Sequence, residues 1–222
     1  MNLSEMRQLY RDIYPAPDTR FFTNPEVNRY LNLGHRRFVE ETKIMTGEFS
    51  TDLVSGQSDY STLTLPHLEI SRVAITDSTG NKFKLRFVPL AELDDLLPTF
   101  ENADSSIPAF YYFRHNQLLS LFPKPSFSVT GGLKAIVVKI PADLILDVSI
   151  PTYPRVYHEA PIFYALHIGK LKDQEFAESQ QYLARFKEIA ARAKRDLERV
   201  NGDLPGHFRT QEIVEFLGGR KR

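Results

Sequence analysis

The chain has 222 residues with 28 basic and 28 acidic side chains, so its formal net charge at pH 7 is zero. This length allows one or two domains, and a content of 42% hydrophobic and 25% charged residues is ordinary for a globular protein. The balanced charge excludes a global field that would attract nucleic acid or a membrane. The absence of cysteine excludes disulfides, thiolate metal sites and a cysteine nucleophile.

The first part of the chain, up to about residue 45, has the apolar periodicity of helices. A first helix is predicted over residues 3–14, and Pro15 ends it. A second helix opens at "TNPE", where Asn24 is the predicted N-cap and Pro25 lies in the first turn. Gly47 is predicted to end this helix. One face of the second helix carries Val27, Leu31, Gly34 and Phe38.

The middle of the chain is rich in proline, glycine and aromatic residues, and its alternation of polar and apolar positions is typical of strands. A short helix is predicted over residues 90–97. Strands are predicted within residues 59–65, around a turn at 78–81, around a turn near His115–Asn116, and from 131 to Pro141. Five or six short strands predict a small antiparallel sandwich or barrel.

Helical periodicity returns after residue 152. Residues 160–171 are apolar on most sides, which predicts the central helix of a bundle. Asp173 is predicted to begin the longest helix. Its apolar positions are Phe176, Leu183, Phe186, Ala190, Ala193, Leu197 and Val200. From Leu183 their spacing fits either a bundle helix with a narrow seam or a coiled coil, and so short a repeat favours the bundle.

These elements predict an α+β fold in which the helices come from both ends of the chain. Residues 1–48 and 152–200 are predicted to form an antiparallel helical bundle. Residues 49–151 are predicted to form an inserted β domain, the small antiparallel sandwich or barrel. Residues 201–222 are predicted to form a C-terminal arm. The polar start of the chain and the lack of an 18-residue apolar run predict no signal peptide, no membrane span and a cytoplasmic origin.

A search for chemistry finds no catalytic, metal or cofactor signature. His158 and His167 lie nine residues apart, which places them on different faces of a helix, and no histidine belongs to a zinc motif. Glu92, Asp94 and Asp95 fit a solvated helix face better than a pair of catalytic carboxylates. Gly131–Gly132 lacks the lysine of a phosphate loop. The sequence therefore predicts a protein that is not an enzyme and has no cofactor.

Basic side chains are concentrated near the carboxyl end. The longest predicted helix has six basic residues, namely Arg185, Lys187, Arg192, Lys194, Arg195 and Arg199, against three acidic ones. Arg220, Lys221 and Arg222 form a basic tip. This pattern favours weak phosphate contact over sequence-specific reading of nucleic acid.

The arm ends in a short amphipathic segment. Thr210 can cap a helix, Gly218–Gly219 can end it, and its apolar side chains are Ile213, Val214, Phe216 and Leu217. A helix this short is marginal in water on its own. Two outcomes stay open from the residues alone: the segment folds back on its own bundle, or it docks into a groove of another chain.

Several stretches, in order, resemble the head-to-tail adaptor proteins of tailed bacteriophages. "LSEMRQLYRDIY" and "FFTNPEVNRYLNLGHRRFVEET" are similar to the opening helices of that family. "GQSDYSTLTLPHLEISRVAI" resembles its first strands, and "PAFYYFRHNQLLSLFPKPS" its hairpin. The stretch from "IPADLILDVSIPTYPRVYHEAPIFYALHIGKL" to "KRDLE" resembles its closing helices. "HFRTQEIVEFLGGRKR" departs most from the family pattern.

The resemblance implies a structural virion protein of the neck, between capsid and tail, that passes through the host cytoplasm during assembly. It implies a homo-oligomeric ring, usually of twelve copies, that sits below the portal protein, extends the DNA channel and offers a platform to tail or nozzle proteins. Contact with duplex DNA would be non-specific, and no membrane is involved. The expected portal-binding residues are those of the arm: Phe208, Ile213, Val214, Phe216, Leu217, Arg220, Lys221 and Arg222.

Two other classes of function are alternatives to this one. A nucleic-acid-associated assembly factor would use the basic C-terminal helix and tail. An enzyme would need a pocket in the β insert, and the sequence supplies no nucleophile with its base.

Overall fold

The fold comprises helices and two sheets, in a computed structural model that describes residues 1–14, 22–61, 67–115 and 118–202. The helices are α1 (Leu3–Ile13), α2 (Asn24–Thr42), α3 (Leu90–Leu96), α4 (Ala160–Lys172) and α5 (Phe176–Gly202). The strands are β1 (Thr46–Leu53), β2 (Asp59–Ser61), β3 (His67–Thr76), β4 (Lys82–Lys84), β5 (Arg86–Phe87), β6 (Phe110–His115), β7 (Leu118–Phe122) and β8 (Val129–Lys139). The predicted α+β class is confirmed.

The chain divides into two compact units. The helical unit comprises Met1–Ile44 and Asp143–Arg222, of which residues 203–222 lie outside the described part of the chain. The β unit comprises Met45–Ala142 and contains both sheets and α3.

The ends of α1 and α2 depart from the sequence-based expectations by a few residues. A capping box at Asn2 begins α1, since the Asn2 side chain accepts from Glu5 N–H at 2.8 Å and Glu5 accepts from Asn2 N–H at 3.0 Å. The N-cap of α2 is Thr23, so the prediction of Asn24 was wrong by one position. The prediction that Gly47 ends α2 was also wrong. Lys43 takes the left-handed conformation that closes the helix (φ 55°), and its N–H donates to Val39 O at 2.8 Å.

In the helical unit α4 packs against α1, α2 and α5, and it is the central helix, as predicted. Gly34 allows the close approach of α2 to α4, because a Cβ there would lie 2.6 Å from the carbonyl oxygen of Pro161. Val27, Leu31 and Phe38, which share its face, are fully buried, as their spacing predicted.

The start of α5 differs from the prediction. Asp173 is the C-cap of α4, and Gln174 takes a left-handed conformation (φ 63°) between the two helices, so α5 begins at Phe176. The predicted seam is buried at Phe186, Ala190 and Ala193, where α5 lies on α4. Phe176, which precedes the predicted seam, is 64% exposed.

In the β unit the two four-stranded sheets form a sandwich around a shared core. Their strand orders are β1-β8-β3-β4 and β2-β7-β6-β5, and all pairings between these strands are antiparallel except the short β5–β6 pair. One buried cluster contains Leu133, Ala135 and Val137 from the first sheet with Leu119 and Leu121 from the second. Neither sheet closes into a barrel among the residues described.

The outer face of the second sheet is covered by α3 and the 3-10 turn after it. Phe100 of that turn makes edge contacts with Tyr112 and Phe122, and Leu93 of α3 joins the same buried cluster. The strand β1 was not predicted, since the first expected strand lay within residues 59–65 and Gly47 was expected to end α2.

Candidate assembly surface

The most exposed apolar segment in the described part of the chain is the loop of residues 143–150 in the helical unit, named here the apolar loop. The exposed fractions of its side chains are 78% for Ile145, 64% for Leu146, 71% for Val148 and 59% for Ile150. Single exposed apolar side chains are common, but four branched ones within six positions form a patch that marks an interaction surface.

The backbone of the apolar loop is fixed by side chains of α2. The Asn32 amide donates to Leu144 O at 3.1 Å and accepts from Leu144 N–H at 2.7 Å, so a single side chain satisfies both backbone groups of that residue. The Leu144 side chain is buried in the helical core. The loop is therefore anchored at Leu144, while Ile145 and Leu146 immediately after it face solvent.

Helix α1 holds the other half of the loop. The N–H groups of Leu3 and Ser4 donate to Ser149 O at 2.9 Å and to Asp147 O at 3.1 Å. The first N–H groups of a helix have no partner within the helix, so the loop carbonyls satisfy them here. Ser149 N–H in turn donates to Leu146 O at 2.8 Å.

Both acidic side chains of the apolar loop are neutralised by arginines of the helices. The Arg36 guanidinium donates to both carboxylate oxygens of Asp143, at 2.7 Å to Oδ1 and 2.6 Å to Oδ2. These hydrogen bonds raise the pKa of Arg36. Arg7 donates to Asp147 at 3.0 Å. The exposed face of the loop therefore combines apolar side chains with charges that are already paired.

A groove of about 350 Å³ lies beside the loop, between it and α2. Its walls are formed by Pro25, Asn28, Arg29, Asn32, Leu33, Arg36, Asp143, Leu144 and Ile145. The wall is largely polar and contains no nucleophile with a neighbouring base, so its chemistry suits a docked side chain better than a reaction.

The basic side chains of α5 are exposed, as predicted for a solvated helix. Arg185 pairs with Glu188 at 2.6 Å, and Arg192 lies over the Tyr157 ring, with its guanidinium carbon 5.8 Å from the centroid. Lys187, Lys194, Arg195 and Arg199 make no ion pair with any described residue.

The buried histidines hold the helical unit together. Nδ1 of His35 lies 3.2 Å from the Tyr153 hydroxyl, and Nε2 of His158 lies 2.9 Å from Tyr153 O. Nδ1 of His158 lies 2.8 Å from the amino group of Met1. His158 is 2% exposed, and its burial, opposed by the Tyr153 hydrogen bond and aided by the nearby amino group, lowers its pKa.

The sequence did not indicate a serine–histidine contact between α4 and α5. The Ser179 hydroxyl lies 2.7 Å from Nδ1 of His167 and 3.1 Å from His167 O. Ser179 is fully buried, so no substrate can reach its oxygen, and the contact joins the two helices instead of activating a nucleophile. Glu92, Asp94 and Asp95 are exposed on α3, as expected of a solvated face.

The residues predicted to bind the portal lie outside the described part of the chain. They are Phe208, Ile213, Val214, Phe216, Leu217, Arg220, Lys221 and Arg222. Among the described residues no group of histidine, aspartate or glutamate side chains could hold a metal ion. No helix in the described ranges is both long and apolar enough to cross a membrane.

The family model for the SU10 adaptor protein matches residues 1–207. The chain belongs to the SU10 adaptor family. Membership gives this chain a structural adaptor role in a phage. Such a structural family is generally non-enzymatic. A search of curated proteins found no match.

Proposed function

We propose that this SU10 adaptor forms a ring of twelve copies below the portal protein, extends the DNA channel, and carries the platform to which tail or nozzle proteins attach. The observation that carries this proposal is the family match, which spans residues 1–207 of 222. The ring assembles in the host cytoplasm and stays in the virion neck.

The C-terminal arm connects the ring to the portal in this proposal. Its segment "EIVEFLGG" places Ile213, Val214, Phe216 and Leu217 at spacings that fit one face of a short helix. A groove on the portal would cover these side chains, which a short isolated helix cannot bury by itself. Arg220, Lys221 and Arg222 follow directly and would contact acidic groups at the rim of that groove.

Deletion of residues 207–222 is expected to leave the unfolding midpoint unchanged and to abolish binding to the portal. Phe216→Asp should reproduce the loss, because it places a charge on the apolar face. Gln211→Asp is the matched control, since it adds the same charge to the arm at a polar position. Copurification with the portal measures all three variants. A large loss of thermal stability on deletion would instead place the arm on its own bundle.

The exposed basic side chains of α5 support weak contact with duplex DNA. Lys187, Lys194, Arg195 and Arg199 have no ion-pair partner among the described residues. The same observation favours the second candidate, a nucleic-acid-associated assembly factor. A channel must let DNA pass, so the ring proposal requires weak binding that salt readily abolishes.

A gel shift with duplex DNA over a range of salt concentrations separates the two candidates. The structural adaptor is expected to retain no duplex at moderate ionic strength, because four monovalent contacts lose most of their affinity there. Retention at moderate salt that disappears when Lys194, Arg195 and Arg199 are changed to glutamine would support the assembly factor. If this variant no longer retains duplex DNA but still binds the portal, the adaptor role stands.

A further inference from the structure

We propose that the apolar loop, residues 143–150, is the surface through which one copy of this adaptor contacts a second copy. The inference deepens the proposed ring and rests on it. It assigns the contact to a segment of the helical unit, apart from the arm that is proposed to bind the portal.

The size of the apolar patch fits part of an interface between copies. Ile145, Leu146, Val148 and Ile150 are each more than half exposed. Together they expose on the order of a few hundred Å², the size of the largest apolar patches on monomeric proteins, which are often functional. A stable protein contact buries roughly 800 Å² on each partner. The patch can therefore supply the apolar centre of one contact, with polar groups around it.

The loop is held in place before any partner binds. Leu144 is fixed by Asn32, Asp143 by Arg36, and Asp147 by Arg7, through contacts between 2.6 and 3.1 Å. Binding therefore orders little backbone, and the apolar side chains already face solvent where a partner can cover them.

Charge favours a second copy as the partner. The two carboxylates of the loop are paired, so the patch presents neither the positive charge that phosphates bind nor a net negative charge. The whole chain has a formal net charge of zero, and two copies approach without mutual repulsion. A nucleic acid or an acidic membrane surface finds no attraction at this loop.

The position of the loop in the helical unit suits a head-to-tail contact. The loop lies on α1 and α2, whereas α5 packs mainly on α4. A ring needs two different surfaces on each copy, one for each neighbour. The loop provides one of these two surfaces.

The first experiment measures self-association and ring assembly with substituted loops. Leu146→Ser with Val148→Ser removes the centre of the patch without touching the hydrogen bonds that hold the loop. Leu97→Ser with Ile107→Ser, at residues of the β unit that are 48% and 47% exposed, is the matched control. Sedimentation of the free chain and native mass spectrometry with the purified portal report the number of associated copies.

The loop variant is expected to weaken self-association about tenfold or more, and to leave single copies bound to the portal where the wild type forms rings. The control should assemble like the wild type. Both variants should unfold at the wild-type midpoint, because the substituted side chains are exposed. Rings of the loop variant that match the wild type would overturn the inference and leave the adaptor role standing.

The second experiment identifies what covers the loop. The photo-reactive residue p-benzoylphenylalanine is placed at Leu146 of the full chain, and at Ile107 as a control, and both are irradiated with and without portal. A ladder of dimers, trimers and larger adducts from Leu146 supports a head-to-tail contact. Adducts to portal alone, dimers alone, or none in either condition would overturn it. Self-adducts without any binding to portal would keep the inference and contradict the proposed function.

Discussion

Asn32 illustrates how one side chain can fix a stretch of irregular backbone. Its amide makes two hydrogen bonds with the backbone of Leu144, at 3.1 and 2.7 Å. Leu144 is 5% exposed, so water has little access to these groups when the amide is removed. The exposed apolar residues that follow thus depend on a polar residue more than 100 positions earlier in the chain.

Asn32→Ala is expected to lower the free energy of unfolding by about 1–3 kcal/mol, because it leaves a buried N–H and a buried C=O unpaired. Urea denaturation measures the change. Asn28→Ala, one turn earlier on α2, is the control: it removes only a 3.3 Å bond from Arg7 and should cost roughly 0.5 kcal/mol or less. Equal losses in the two variants would show that the Leu144 contacts contribute nothing specific.

His158 makes the stability of the helical unit depend on pH. Burial first, and then the amino group of Met1, lower its pKa below the ordinary value of 6.5, against the hydrogen bond to Tyr153 O. The unfolded chain therefore binds a proton at a pH where the folded chain does not. The contribution of His158 to the free energy of unfolding is fully present above about pH 6.5, and it is lost as the pH falls toward the lower pKa of the folded state.

His158→Gln is expected to flatten this pH dependence, since glutamine keeps a donor for Tyr153 O and does not titrate in this range. Urea unfolding at about pH 8 and at about pH 5.5 gives the slope for each protein. A wild-type protein equally stable at both values would contradict the role of His158.

At the scale of the element, helix α5 shows which features of a helix can be predicted from the spacing of its apolar residues and which cannot. The spacing of three and four found Phe186, Ala190 and Ala193, which are buried against α4. Phe176, an apolar position of the same helix before that spacing begins, is 64% exposed, because apolar character alone cannot tell where a neighbouring helix ends. Helix ends were predicted only to within a few residues because backbone choices such as the left-handed Lys43 are not visible in side-chain pattern.

Phe186→Ala and Phe176→Ala form a matched pair on this helix. Phe186 is fully buried, with its ring 5.1 Å from that of Tyr164, so truncation should cost about 3–5 kcal/mol. Phe176→Ala should change the free energy of unfolding by less than about 0.5 kcal/mol. Thermal or urea denaturation measures both. Similar costs at the two positions would mean that α5 lies differently on α4.

At the scale of the whole molecule, the order of the elements was accessible from sequence and the assembly surface was not. Apolar residues recur with a period of about 3.6 at both ends of the chain and of about 2 in the middle. This change of period predicted helices at both ends around a sheet region, and the α+β class followed from it. The apolar loop gave no such signal. In "ADLILDVSIP" the apolar residues fit neither period, and only the structure shows that Leu144 is buried while Ile145 and Leu146 are exposed.

The compactness of the β unit makes a prediction about the whole chain. Its buried clusters are formed by its own residues, and strands β1 and β8, which begin and end it, pair side by side with Thr46 opposite Val138. The Lys139 N–H donates to Met45 O at 2.9 Å, so the chain enters and leaves the unit at one place. Neither unit should therefore need the other to close its core.

Residues 45–142, expressed alone, are expected to unfold cooperatively and to give a circular dichroism spectrum dominated by strands. The complementary protein, with a short Gly-Ser linker in place of these residues, should keep the helical spectrum, because adjacent entry and exit points need only a short bridge. Phe186→Ala in the intact chain should then lower the melting temperature of the helical transition and leave the β transition unchanged. A single transition that shifts as a whole, or an unfolded 45–142 fragment, would show that the two units depend on each other for stability.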